Sequence, residues 1–352
     1  MGLETFVPVQ EIALTTEKEV PPEFVVGEEV QKTLRPRPED EDTDDGLHFP
    51  EIDLQPLVES SADEEAAARV KREIGQACED SGFFQVINHG IPEHLLEKVL
   101  EVVEGFFDLP LEEKMVYSLK PDTHEGYGLL TKPKIRAWSD AFRHVVRPLP
   151  PPDKDAQPRT PAEYKEVMAE YASGVVKLAK TIASALSDYL GLESSALETA
   201  LSNETHDFPG VAFALNLYPK CPQPDRVLGI YPHADFGAMT VLYQNQVEGL
   251  QVLKGDKWLT VKPVKNSLVV NVSNQLKRVT NGRLKSSKHR AIANSTARRV
   301  SIAAFCNPGS FDVIVRTLPQ FIDEEHPNVY EPMPYGKYLS MMFSSGFEKS
   351  AD

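Results

Sequence analysis

His233-Ala234-Asp235 sets an imidazole and a carboxylate two residues apart. On a strand, residues i and i+2 point to the same side, so the pair can offer two ligands to one metal ion. Two histidines and one carboxylate on one face of an ion, with the other face open, form the donor set with which non-haem iron(II) activates O2. Alone the pair says little: nine histidines and 53 acids among 352 residues yield about 1.4 His-x-acid matches by chance. Its setting adds weight, because apolar runs at 227–231 and 238–243 place it at the end of a strand. A third ligand must come from a distant strand. His289 qualifies, lying in SSKHR (286–290) just before Ala291-Ile292-Ala293. His89 sits in a turn, and His94 and His144 sit in helix-like or loop contexts, so core or surface roles suit them better. Arg299-Val300-Ser301 then puts a guanidinium and a hydroxyl on one face. That combination suits a carboxylate, since an arginine can engage both oxygens. By spacing alone the same pair serves a barrel surface more readily. Arg298 would point the other way.

These residues need a β-rich platform, and the second half of the chain reads as one. Short β-branched and aromatic runs recur at 211–218, 227–232, 239–243, 249–253, 257–264, 267–272, 288–294 and 299–306. Turn signals such as Lys254-Gly255-Asp256 and Asn281-Gly282 separate them, a rhythm that indicates a sandwich or barrel. The first half alternates strand and helix: a strand near 49–55, a helix over 63–80, a buried strand at 83–87 and a helix from Pro92 to about Phe107. A stiff connection with six prolines spans 148–161. A long helix then runs to about Leu190, with Val167, Tyr171, Val175, Leu178, Ile182 and Leu186 on one face. Residues 1–48 read as an extended lead-in ending in an acidic run, Glu39 to Asp45.

Composition sets outer bounds. A formal net charge of -16 opposes binding to nucleic acid or anionic lipid. Three cysteines, Cys78, Cys221 and Cys306, do not make a disulfide framework in a chain this long. The first 20 residues lack the apolar core of a signal peptide, and no apolar run reaches the roughly 18 residues needed to span a bilayer. A cytoplasmic monomer acting on a small molecule is the expectation.

The pieces also occur together and in order. FPEIDL (49–54), ACEDSGFFQVINHGIP (77–92), NLYPKCPQPD (216–225), HADFGAMTVL (233–242), VVNV (269–272), NGRLKSSKHR (281–290) and RVSIAAF (299–305) resemble the plant-type 2-oxoglutarate/iron(II)-dependent dioxygenases. The likeness runs from about residue 48 to 343. It implies an α+β fold, a double-stranded β-helix (jelly roll) flanked by helices. The expected divisions are a lead-in over 1–48, a helix-rich region over 49–200, the catalytic jelly roll over 201–343 and a tail over 344–352. It implies Fe(II) on His233, Asp235 and His289. Arg299, Ser301 and the Asn216-x-Tyr218 motif would bind 2-oxoglutarate, with O2 as oxidant and ascorbate as reductant. Two departures stand out: Ala234 replaces the usual Thr or Ser, and Ser273-Asn274 replaces Gly-Asp, with an altered turn as the expected consequence.

The family's chemistry couples decarboxylation of 2-oxoglutarate to hydroxylation or desaturation. Aromatic residues near the expected mouth point to a flat, largely apolar substrate. Phe213, Phe305 and Asn307 are candidates, with Tyr127, Trp138 and Phe142 on a preceding lid-like region. A flavonoid such as a flavanone is the first expectation, and a hormone such as jasmonate or salicylate the second. A non-catalytic binding module is the alternative of another class; it would need the pocket but not the open metal face.

Overall fold

The computed structural model describes residues 7–34, 49–59, 63–119, 125–128, 135–147 and 157–345. The acidic run at 39–45, most of the proline-rich connection and nearly all of the 344–352 tail lie outside them.

The lead-in is not extended where it is described. It forms helices α1 (Val9–Thr15) and α2 (Glu28–Lys32), with a 3-10 turn at Pro22–Phe24. Its local sequence is prolines and acids, but Val9, Val20 and Phe24 have a tertiary partner: they bury with Trp138, Cys221, Val227 and Ala293. Asp140 accepts from the first N–H groups of α1, at Val9 and Gln10, each at 2.8 Å.

Strand β1 (Glu51–Asp53) leads through α3 (Gln55–Val58) to α4 (Glu64–Asp80). Asp63 caps α4 by accepting from Ala66 N–H at 2.9 Å, and Glu64 and Glu65 suit the positive end of the helix dipole. Next come β2 (Phe83–Ile87), α5 (Glu93–Phe107), α6 (Leu111–Met115), β3 (Gly126–Tyr127) and β4 (Asp140–Arg147). The long helix α7 (Tyr164–Tyr189) and the short α8 (Ala196–Ala200) complete this half. Helix α4 lies close on α7, because Gly75 leaves room for the Tyr189 ring.

The remaining strands are β5 (Gly210–Tyr218), β6 (Leu228–His233), β7 (Met239–Gln244), β8 (Leu250–Lys254), β9 (Lys257–Thr260), β10 (Leu268–Val272), β11 (His289–Ile292) and β12 (Arg299–Asn307). Helix α9 (Asn274–Val279) follows β10. A small ribbon of β13 (Ile314–Val315) and β14 (Met333–Pro334) precedes α10 (Tyr335–Ser345).

The strands make a jelly roll of two facing sheets. One has the order β1-β2-β10-β7-β12-β5-β4-β3, so strands from both halves of the chain share it; the other is β6-β11-β8-β9. The period of two divides the large sheet. Phe84, Val86, Phe142, Phe213, Val241, Val270 and Ile302 bury against the α4, α5 and α7 layer. Phe83, Val269, Leu250, Val252 and Val261 fill part of the space between the sheets. Strand β4 was not legible in the sequence. Its two faces, Ala141-Arg143-Val145 and Phe142-His144, each mix apolar and polar residues, which hides the alternation.

Candidate active site

Strand β6 ends at His233 and β11 begins at His289, and the two residues face each other across the antiparallel pair. Their ring centroids are 4.3 Å apart. Nδ1 of His233 lies 2.8 Å from Tyr231 O, and Nδ1 of His289 lies 3.4 Å from Ser287 O. Backbone carbonyls so placed favour the Nδ1–H tautomer and leave each Nε2 lone pair free. Those Nε2 atoms lie 3.5 and 3.6 Å from Asp235 Oδ1. The other carboxylate oxygen is occupied: Oδ2 accepts from Thr240 Oγ1 at 2.6 Å and from Asn271 Nδ2 at 2.9 Å. One oxygen is therefore braced while its twin faces the histidines. Three donor atoms within 4.8 Å of one another, with competing groups engaged elsewhere, fit a divalent iron with one face open.

Charge follows the same plan. Burial opposes ionisation of Asp235, but His289, His233 and the Thr240 hydroxyl outweigh it and hold the carboxyl below its usual range. Burial lowers His289 to about 4, which keeps its imidazole neutral. At His233 burial pulls down and the Asp235 carboxylate pulls up more strongly.

The loop carrying Asp235 is clamped from behind. Asn274 N–H donates to Asp235 O at 3.0 Å, and Ser273 N–H to Ala238 O at 2.8 Å. The Ser273-Asn274 departure does not disturb the turn, since Ser273 has φ -118 and ψ 178, extended backbone open to any residue. The amide of Asn274 instead reaches α10, donating to Tyr338 Oη at 2.8 Å.

Arg299 is 2% exposed. Its guanidinium lies over the Tyr218 ring, 4.8 Å from the centroid. Nε and Nη2 donate to Gln244 Oε1 at 3.2 and 2.6 Å, whereas Nη1 is buried with no partner among the described residues. An unsatisfied buried donor on a charged group costs at least about 1–3 kcal/mol, so this atom calls for an acceptor from a ligand. Ser301 pairs across the sheet with both Asn216 and Gln244, which sets all three on the inner face with Arg299 and Tyr218. Two glycines make the space. A Cβ on Gly249 would lie 2.7 Å from Arg299 Cδ, and one on Gly229 2.6 Å from Tyr218 Cδ1. A carboxylate ligand such as 2-oxoglutarate fits this donor set. Arg298 points away, to Asp108 at 2.6 Å.

The expected substrate aromatics divide. Phe305 is partly exposed on the inner face, opposite Thr240. Asn307 is further along the same face, accepting from Tyr335 Oη at 2.7 Å. The other four are corrected: they pack away from the triad. Phe213 stacks on Tyr171 of α7, and Phe142 lies 4.7 Å from Phe106 of α5. Tyr127 lies 6.0 Å from the same Phe106 ring. Trp138 is fully buried against Phe24, its indole N–H donating to Pro219 O at 3.1 Å. Aromatic character alone could not separate the faces; strand parity in β4 and β5 does. Thr240, Asn271 and Gln244 escaped the sequence reading, although the same parity counted from Ser301 and across the sheet would have placed them inward.

Comparison with known proteins agrees with this geometry. Residues 209–308 match the family model of the 2OG-Fe(II) oxygenase superfamily, and residues 49–168 match the N-terminal model of non-haem dioxygenases in morphine synthesis. Jasmonate-induced oxygenase 4 of Arabidopsis thaliana is 36% identical over 97% of this chain and 94% of its own length. Leucoanthocyanidin dioxygenase of Perilla frutescens is 34% identical over 94% of this chain and 92% of its own. The crystal structure of JOX2 in complex with 2OG, Fe and JA superposes with a TM-score of 0.84 at 34% identity, covering 97% of this chain and 94% of that one. By fold, site and sequence, the chain belongs to the 2OG-Fe(II) oxygenase superfamily.

Proposed function

We propose that His233, Asp235 and His289 hold Fe(II), that Arg299, Ser301 and Tyr218 hold 2-oxoglutarate, and that the chain uses both to oxidise a small specialised metabolite. The observation that carries this reading is the pairing of a braced three-donor cluster with the partnerless Nη1 of buried Arg299. Iron and co-substrate together supply oxidation of an unactivated C–H bond. For hydroxylation the balance is substrate plus O2 plus 2-oxoglutarate giving hydroxylated substrate, succinate and CO2. The protein's part is placement. Thr240 and Asn271 fix the carboxylate, and Gln244 and Tyr218 fix the guanidinium.

Both a flavonoid and a jasmonate-like hormone accord with the relatives, which include a leucoanthocyanidin dioxygenase and jasmonate-induced oxygenases. Phe305 beside the Thr240 position suits either, as an apolar wall near the metal. The test is anaerobic addition of Fe(II) and 2-oxoglutarate to the apo-protein. A visible metal-to-ligand charge-transfer band is expected, absent in His233→Ala and weakened in Arg299→Ala. A folded wild type with no band would refute the assignment.

A further inference from the structure

Arg143 stands on the inner face of the large sheet with almost nothing to bind. It sits on β4 opposite Ala214, which faces Ala303 on β12; Ala141 and Ala212 occupy the inward positions one step away. Four alanines thus surround the base of the side chain, so no bulky neighbour on the sheet covers it. Its neighbours Phe142 and His144 point to the helical layer, and Arg143 points the other way, towards Tyr218. The guanidinium has five N–H donors, yet among the described residues it makes one hydrogen bond, from Nη1 to Gly128 O at 3.3 Å, and no ion pair.

The other inward or interior arginines contrast with it. Arg290 donates to Gln251 and twice to Thr33 and lies over Trp258; Arg299 has Gln244 and the Tyr218 ring. Of the three, Arg143 is the one that makes a single hydrogen bond and lies over no ring among the described residues. Burial lowers its pKa to about 10, so it remains charged at neutral pH. It is also not a second hand on 2-oxoglutarate. β4 lies two strands from β12, roughly 10 Å, and Arg143 is four residues along β4 from the level of Arg299. Towards the metal, the alanine floor ends at Phe305, opposite the Thr240 that braces Asp235.

We propose that Arg143 is a specificity-determining residue that takes the carboxylate of an apolar monocarboxylic acid substrate, whose hydrocarbon body lies over the alanine floor towards Phe305 and the triad. This rests on the oxygenase reading above and narrows it: an acid fits the free guanidinium, and a neutral flavanone leaves it unpaired.

The full chain, loaded anaerobically with Fe(II) and 2-oxoglutarate, is titrated with jasmonic acid, salicylic acid, their methyl esters and a flavanone. The readouts are perturbation of the charge-transfer band and, after O2 is admitted, succinate release. An acid should act at concentrations at least about tenfold below its ester, because the ester leaves a half-buried cation unpaired. Arg143→Met should abolish that preference, Arg143→Lys should keep part of it, and neither should change 2-oxoglutarate affinity. Wild type that treats acids and esters alike, or that responds to the flavanone alone, overturns the proposal without needing a variant. A missing band in wild type would instead sink the oxygenase reading, so the two failures are distinct.

Discussion

Thr240→Val removes one hydroxyl and nearly nothing else, which makes it a clean probe of how the metal carboxylate is held. The lost contacts are the 2.6 Å hydrogen bond from Thr240 Oγ1 to Asp235 Oδ2 and a long 3.4 Å one to Ser273 Oγ, of which the first bears on the metal. A hydrogen bond of that length to an ionised oxygen is in the strong class, worth about 1.5–3 kcal/mol. If all of it were spent on orienting Asp235 for the metal, Fe(II) affinity would fall about 10- to 150-fold. Asn271 Nδ2 still holds the same oxygen at 2.9 Å, so the single variant belongs at the lower end, near tenfold. Adding Asn271→Leu should take the loss beyond the product of the two single effects, because either donor partly covers for the other. Anaerobic Fe(II) titration at saturating 2-oxoglutarate, read from the charge-transfer band, gives the dissociation constant, and a thermal melt checks folding. Unchanged Fe(II) affinity in the folded double variant would refute the idea that Oδ2 is braced so that Oδ1 can ligate.

Two further outcomes follow from packing and burial. Gly249→Ala places a Cβ 2.7 Å from Arg299 Cδ, so the guanidinium must shift; KM for 2-oxoglutarate should rise about ten- to a hundredfold while Fe(II) affinity stays, and an unchanged KM would show that the clamp tolerates displacement. His144 is 1% exposed beside Tyr164, and burial lowers its pKa to about 3. A histidine held neutral in the fold but free to protonate when unfolded costs stability as pH drops below its unfolded value near 6.5. Between pH 7 and 5 that amounts to about 2 kcal/mol, nearly independent of how far below 4 the folded value lies. Urea unfolding of wild type and His144→Gln at both pH values should show the variant losing about that much less; parallel losses would place the acid sensitivity elsewhere.

How much was legible depended on whether the signal was local. The triad could be read because His-x-Asp and a second histidine each fall at a strand end, where residue type and parity agree. Arg299 and Ser301 share a face as their spacing implied, but spacing alone left a ligand clamp and a barrel surface both open. The helix over 63–80 could be read from its periodicity and is α4, and the face from Val167 to Leu186 announced α7. The lead-in could not be read, since α1 is held by Asp140, more than 100 residues away. Strand β4 was hidden by Arg143 and His144, one on each face, which break the apolar alternation. With β4 unread, Tyr127, Phe142 and Trp138 looked like a lid, and Arg143 drew no notice.

The clamp behind Asp235 ties the metal site to the end of the described chain. Asn274 touches the Asp235 backbone on one side and Tyr338 of α10 on the other, while Phe236 meets the Tyr338 and Phe343 rings. Terminal helices fray more readily than the cores they lean on. Equilibria joined in this way obey reciprocity: whatever docking of α10 contributes to ion affinity, the ion returns to the docking of α10. Amide exchange in 335–345 should therefore slow when the ion binds, although no residue of that helix is a ligand.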